Sequence, residues 1–459
     1  MIICLLVAVT LAAPAAHPSR AAASDRVPQE LEEFQGYLDP APFGMDVRYA
    51  WTLPGGKGEN VKIVDIELNW NLNHNDLIAA ASDAFILVKG MDSLPDTVQN
   101  DANINHGTAV LGELVAADDG IGVTGIAHRA RLGLVNPLTS GTKPDVAAAI
   151  RRAGSKLEPG DVMLIELSVA GPRFDPFAGR GLVPVEFEPD VFAAIKEATS
   201  NGVIVVESAG NGFEDLDHPA YGGAFNRNNR DSGAIIVGAG KPEGGIYGLG
   251  PDRARTEESN FGSRVDLQGW GRFVTTCGYG PLRQEQGQNH LYTIDFSATS
   301  AATAMVAGAA AVLQSIVKER GRAPLTADEM RLLLVSTGTR QSGNINERIG
   351  PRPDLRAAIE GLDSDGADPA ITRVKLKNGG AKLVVDGARF TTGDSIIEID
   401  GTAVTKLKYP AEFRLPNGQT TRLVTKGDIS GLMPKSVQVA IVVFTPSSGR
   451  RSEPFLFTP

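Results

Sequence analysis

The stretch DFSATSAATAMVAGAAAVL, residues 295–313, constrains this chain more than any other segment. After Ser300 nearly every side chain is small or apolar, so the helix it predicts has no polar face and has to be wrapped by protein. Two hydroxyls, Thr299 and Ser300, stand at its entrance, where a helix leaves backbone amides without partners and favours negative charge. A serine there is either a cap, which asks nothing else of the sequence, or a nucleophile. A nucleophile needs a base, an orienting carboxylate and donors for an oxyanion.

From Pro42 to Leu362 the chain supplies layers able to wrap such a helix. VKIVDIE, ARLGLV, DVMLIELSV, GVIVVESAGN and AIIVGAG read as buried strands, and HGTAVLGELVAA, PDVAAAIRRAG and PDVFAAIKEATSNG between them have helical spacing with glycine stops. The alternation predicts an α/β fold with a doubly wound, mostly parallel sheet. Thr326 followed by Glu329 predicts a capping box at the last helix of this region. A Gly/Asp/Pro-rich linker follows at 363–369. Residues 370–459 carry short β-rich runs such as SIIEIDG and SVQVAIVVF, which predict a small all-β sandwich domain.

With 459 residues, 42% hydrophobic and 21% charged, the chain has material for a large core and more than one domain. Its formal net charge of −10 argues against nucleic acid or an anionic membrane surface as partner and leaves proteins, peptides and small molecules. Cys4 and Cys277 provide no disulfide framework. MIICLLVAVTLAAPAA, within residues 1–23, has the length of a signal-peptide apolar core and ends in small residues, although no Lys or Arg precedes it. Export to the cell surface or beyond is the expectation. No further run approaches the length of a membrane span. The N-terminal segment 24–41 is too short for a folding pro-domain.

Candidates for the partners of Ser300 lie at strand and helix ends. Asp65 falls at the carboxyl end of VKIVDIE, where open α/β sheets build their sites. His106 opens a helix in NINHGTAVLGELVA, with Gly107 allowing close backbone approach. Asn211 lies just past another strand in VVESAGNG, between glycines.

In the order Asp65, His106, Asn211, Ser300, with IVDIE, HGT, SAGN and TSAATAMVAG around them, residues 42–362 resemble the subtilisin-like serine peptidases. FGMDVRYAW, HNDL, GIGVTGIAHRARL and SNFGSRVDLQGWG resemble further segments of that family. The resemblance implies Ser300 as nucleophile, His106 as general base and then acid, and Asp65 as the carboxylate that orients His106. Asn211 would donate its side-chain amide, with the Ser300 backbone N–H, to the oxyanion. Ser168, Val169, Ala170 and Gly171 match the substrate-pairing edge, and Ser208, Ala209 and Gly210 the wall of the primary pocket. The implied function is a secreted, monomeric serine endopeptidase that cleaves protein or peptide substrates through an acyl-enzyme. An esterase or peptide ligase would use the same intermediate. The competing class is a retired peptidase fold that binds peptides or a surface.

No cofactor is implied. Family members often carry structural calcium, but Asp118 and Asp119 in AADDG read as a solvated turn, and no metal site is assigned. His74 reads as structural. Three departures from the family pattern stand out. Glu67 occupies a position where a small residue followed by glycine is usual, and a second carboxylate near Asp65 would raise one pKa. Ala298 replaces the glycine before Thr-Ser, and Ala304-Met305 replace Pro-His. The C-terminal domain resembles immunoglobulin-like domains of the IPT/TIG kind, which act as spacers or binding modules.

Overall fold

Runs of β-branched residues separated by Ala-rich helices produce the expected parallel sheet. The computed structural model describes residues 30–459 apart from 89–100, 139–143, 228, 244–247, 364–368, 411–412, 414–418, 435–437, 446–449 and 453. The leader expected at 1–23 lies outside the described residues, as does most of the expected linker.

In chain order the strands of the first unit are β1 (Lys62–Ile66), β2 (Ile86–Val88), β3 (Arg131–Val135), β4 (Val162–Ile165), β5 (Ser168–Asp175), β6 (Arg180–Pro184), β7 (Ile204–Ser208), β8 (Ile235–Gly240), β9 (Leu267–Trp270), β10 (Val274–Leu282) and β11 (Tyr292–Phe296). Seven of them form one parallel sheet in the order β2-β3-β1-β4-β7-β8-β9. DVMLIELSV breaks after Ile165: β4 stays in the sheet, whereas β5 leaves it to pair antiparallel with β6. A second antiparallel pair, β10 with β11, leads into the Ser300 helix.

Helices cover both faces, so strand side chains are buried whichever way they point. Val64, Ile66, Met163, Ile165 and Val205 share a core with Val146, Ile150, Ala194 and Ile195 of the helices Val146–Gly154 and Pro189–Ser200. Residues alternating with them, Asp65 and Leu164, and Glu67 and Glu166 just beyond the strand ends, turn to the opposite face. That face is covered by the helices Asp101–Val115 and Ala298–Glu319.

Every residue of the latter helix from Ala301 to Val317 is buried. It is long and apolar enough to cross a bilayer, yet its apolar length is wholly enclosed by protein. Its polar residues are satisfied internally: Gln314 donates to Leu325 O (2.6 Å) and accepts from Leu325 N (3.0 Å), and Thr303 donates to Thr299 O (2.5 Å). Thr326 and Glu329 form the reciprocal capping box at the next helix, Ala327–Thr337.

The described part of the N-terminal segment, from Glu30, packs into the first unit, where Leu31, Tyr37 and Leu38 are buried and Tyr37 donates to Thr275 O. Contacts divide the chain into two units between Ala357 and Ala358, within the helix Leu355–Asp363.

The second unit consists of β12 (Ala370–Lys377), β13 (Lys382–Thr391), β14 (Ile396–Ile399), β15 (Thr402–Val404), β16 (Leu407–Lys408), β17 (Gln419–Thr425), β18 (Val439–Thr445), β19 (Arg450–Arg451) and β20 (Phe455–Phe457). They form two antiparallel sheets, one of four strands and one of five. Leu383, Val385 and Leu423 of one sheet share a core with Ile397, Ile441 and Val443 of the other.

Gly308 brings the buried helix close to Ile126. A Cβ there would lie 2.8 Å from Ile126 Cβ and 2.9 Å from its Cγ2. Helix propensity alone favours Gly308→Ala by about 1 kcal/mol, but forcing a methyl into a filled core costs about 1–3 kcal/mol. The expected net result is a lower Tm by calorimetry; an unchanged or higher Tm would show that the core yields at this point.

Candidate active site

The central strands β1, β4 and β7 are neighbours, and the chain just past their carboxyl ends carries Glu67, Glu166 and the Ser208–Asn211 segment. The helix bearing His106 and the helix bearing Ser300 close over them. All four residues singled out by sequence, Asp65, His106, Asn211 and Ser300, belong to these elements.

The carboxylate on His106 is Glu67, where the family resemblance assigned Asp65. Glu67 Oε2 lies 2.5 Å from His106 Nδ1, with both side chains buried. Its other oxygen accepts the Leu68 amide at 2.7 Å. Asp65 is fully buried and accepts instead from the indole Nε1 of Trp70 at 2.7 Å, and its second oxygen has no partner. Chain geometry explains the exchange. Asp65 and Glu67 point to the same face two residues apart, and the longer side chain beyond the strand end takes the imidazole while Trp70 takes the shorter one. Gly107 makes room: a Cβ on it would sit 2.2 Å from Asn69 O, 2.7 Å from Trp70 Cδ1 and 2.9 Å from Glu67 Cγ.

With Nδ1 donating to Glu67, Nε2 is the imidazole nitrogen left to accept a proton. The ring is held from its side by Phe296, edge-on at 5.5 Å, just before the Ser300 helix begins. Among the described residues no hydrogen bond closes between His106 and Ser300; such bonds tighten when substrate is in place.

Ser300 enters its helix through a strained residue. Ala298 sits at φ +70°, a conformation that costs an L-residue about 1–2 kcal/mol and is free for glycine. Its methyl therefore adds backbone strain where the family pattern has none.

Asn211 is aimed by a relay that sequence reasoning missed. Its Oδ1 accepts from both the backbone N (3.0 Å) and the hydroxyl (2.8 Å) of Thr299. Ser208 Oγ bonds Thr299 Oγ1 at 2.8 Å and accepts the Gly210 amide at 3.1 Å. Because Thr299 N–H is solely a donor, the amide oxygen of Asn211 must face it, which leaves the Nδ2 hydrogens for another acceptor. The loop itself is pinned by Asn260, which donates to Leu182 O and Ala209 O, both at 2.7 Å, and accepts from Gly212 N and Glu214 N. Spacing alone contains no sign of Asn260; its role follows from a side chain reaching across two loops.

Ser168, Val169 and Ala170 lie on β5, paired through Pro184, Val183 and Leu182 to β6, and Gly171 continues the strand. Among the described residues no strand pairs with the other edge of β5. Gly210, at φ +87°, approaches Ser168 and Asn260, so the wall segment Ser208-Ala209-Gly210 abuts this edge.

The remaining candidates are structural in their contacts. His74 bonds Leu291 O through Nε2 and accepts the Asp76 amide at Nδ1, and burial pushes its pKa down to about 4. Asp76 accepts from Val123 N and Tyr292 OH and approaches Cys277 Sγ at 3.8 Å. These three could crowd a metal ion, but the imidazole and carboxylate are already engaged within the protein. Asp118 faces Lys57 and His128, and Asp119 accepts the Ile121 amide, so neither presents an open oxygen cage for calcium.

Burial sets the electrostatics. Asp65 is pushed well above the usual carboxylate range by burial, and then by the neighbouring charge of Glu67, against the Trp70 hydrogen bond. Glu166 is raised by burial and by Glu67, Asp65 and Glu113; the nearby Ser300 hydroxyl acts in the opposite sense. Burial alone raises Glu113, whose two oxygens have no partner.

An acid raised in the folded state binds its proton more tightly there than in the unfolded chain. Its folding penalty is absent below the unfolded carboxyl pKa and grows as pH rises towards the folded value. Glu113→Gln is therefore expected to raise Tm at about pH 8 and to converge with the parent near pH 4. Parallel Tm curves over that range would show that Glu113 is not held protonated.

The Subtilase family profile (peptidase S8) matches residues 56–351. The Intracellular serine protease of Paenibacillus polymyxa is 25% identical over 320 residues, covering 67% of this chain and 83% of that protein. The Major intracellular serine protease of Bacillus subtilis (strain 168) is 26% identical over 296 residues, covering 61% and 76%. Subtilisin Savinase of Lederbergia lenta is 27% identical over 307 residues, covering 65% and 92%. Among solved structures, the psychrophilic subtilisin-like protease Apa1 from Pseudoalteromonas sp. AS-11 aligns with a TM-score of 0.47 at 16% identity, over 69% of this chain and 96% of that one. With the profile spanning most of the chain and a seven-stranded parallel sheet of the subtilisin type beneath it, this chain belongs to the subtilase family of serine peptidases.

Proposed function

We propose that this peptidase is a secreted endopeptidase that forms an acyl-enzyme at Ser300, with His106 as base, Glu67 as the carboxylate that orients it, and Asn211 as oxyanion donor. The observation that carries this reading is the pair of fixed geometries on either side of Ser300. Glu67 holds Nδ1 of His106 and so leaves Nε2 as the basic nitrogen. Thr299 holds Oδ1 of Asn211 and so leaves its N–H groups as donors.

In the reaction Ser300 Oγ bonds the substrate carbonyl carbon while its proton passes to His106 Nε2, and the imidazolium is stabilised by Glu67. The carbonyl oxygen gains the π electrons and accepts from Asn211 Nδ2 and the Ser300 amide. Collapse expels the amine with the proton from His106, and water repeats the sequence on the ester. An extended substrate gains main-chain hydrogen bonds along the unpaired edge of β5 at Ser168–Gly171. Asp65 shapes the site by holding Trp70 against it and makes no hydrogen bond to the imidazole. Secretion rests on the apolar N-terminal stretch and its small residues. The C-terminal sandwich is read as an immunoglobulin-like spacer or binding module.

A fluorophosphonate probe located by peptide mapping should label Ser300, and Ser300→Ala should abolish turnover. Glu67→Gln should lower kcat by about a thousandfold or more, while Asp65→Asn should lower it by no more than about tenfold. The reverse ranking would return the orienting role to Asp65.

A further inference from the structure

Three acidic residues, Asp65, Glu67 and Glu166, stand together on the face of the sheet that the Ser300 helix covers. Glu166 is the one with no role in the scheme above. Its backbone N–H donates to Ile66 O at 3.3 Å, which sets it directly beside Glu67 across the β1–β4 pair. The residue is 7% exposed, and both side-chain oxygens are buried without a hydrogen-bond partner among the described residues. Its surroundings are Asp65 and Glu67 from β1 and the residues after it, Glu113 from the helix that carries His106, and Ser300 from the helix opposite. On its other flank, Glu207 of β7 stands opposite Ile165 and so points to the far face, where it meets the Glu186 backbone amide. The ionisable groups that bear most on Glu166 are all acids.

We propose that Glu166 is a positioning residue for Ser300: with its proton in place it donates to Ser300 Oγ and leaves the serine proton to His106, and without it captures that proton itself. The inference rests on Ser300 being the nucleophile. A buried acid beside the serine has two states with opposite effects. As a neutral acid it is a donor; the Ser300 oxygen accepts from it and turns its own hydrogen towards His106 Nε2. As an anion it is solely an acceptor and a competitor of His106 for the same hydrogen. The surroundings favour the neutral state, since burial and three neighbouring carboxyl groups all oppose a further negative charge. During attack the Glu166 proton stays where it is: the Oγ–carbon bond forms, the serine proton moves to Nε2, and Glu166 continues to donate to the same oxygen. Loss of the Glu166 proton at higher pH turns the hydroxyl away, so turnover falls on the alkaline side while substrate binding along β5 is unaffected.

The test compares pH profiles of kcat and KM for the full chain and for Glu166→Gln, which keeps a donor at this position and does not ionise. In the parent, kcat and the rate of fluorophosphonate labelling at Ser300 should both fall as the pH is raised into the alkaline range, with KM unchanged. In Glu166→Gln the ratio of kcat at the higher to the lower pH should rise at least about fivefold over the parent. If the variant fails to fold, infrared spectra of the parent decide: a protonated carboxyl band should vanish with the same midpoint as the labelling rate. Superimposable profiles, or a parent labelling rate that never declines, would overturn the proposal while leaving Ser300 as the nucleophile. A uniform loss in Glu166→Gln at every pH, matching that of His106→Ala, would also overturn it by making Glu166 a proton acceptor. Absence of labelling at Ser300 at any pH would remove the peptidase mechanism itself.

Discussion

A carboxylate as deeply buried as Glu67 needs a hydrogen-bond donor, and the imidazole N–H of His106 at 2.5 Å supplies one. Much of the site follows from that pair. The imidazole loses its freedom at Nδ1 and is left basic at Nε2. Gly107 is needed because a methyl there would strike Glu67 Cγ and the Trp70 ring together. Trp70 in turn is fixed by Asp65, so two acids two residues apart divide an indole and an imidazole between them.

Ser300 is positioned by a different kind of force. Its helix is buried from Ala301 to Val317, and small side chains such as Gly308 let it lie close to its neighbours. Such a helix is poorly able to slide or rotate, since each small residue meets a filled surface. The polar chemistry is confined to its first turn, where Thr299 spends its amide and hydroxyl on Asn211 and its carbonyl on Thr303. Strain at Ala298 is tolerated because the helix body anchors one side and the Ala298–Gly271 backbone bond the other.

The strand runs and the helix between 298 and 319 were legible because β-branched and small-residue patterns report burial directly. The positions of Asn211 and Ser300 were legible because strand ends and helix starts are where a parallel sheet opens; His106, expected to open its helix, lies in the second turn of Asp101–Val115. The choice between Asp65 and Glu67 was not, because it depends on which of two same-facing acids reaches the ring, a matter of one methylene and of Trp70's location. Thr299 was noticed only as a neighbour of Ser300; its work on Asn211 requires two segments separated by 88 residues to meet. DVMLIELSV reads as one strand, yet the polar Glu166 marks where it leaves the sheet, and the inserted acid is the clue that periodicity overlooks.

Glu67, Glu166 and Ala298 depart from relaxed or neutral chemistry at adjacent points of one site. The two acids are coupled: a charge on Glu67 is paired by His106, and that same charge discourages ionisation of Asp65 and Glu166. In the proposed mechanism His106 accepts the serine proton, the pair with Glu67 then becomes a full ion pair, and the field felt by the flanking acids weakens. The cluster therefore resists extra negative charge most strongly before attack and least strongly once the imidazolium has formed. A site built this way couples the protonation of residues that never meet the substrate to the proton transfer that starts the proposed reaction.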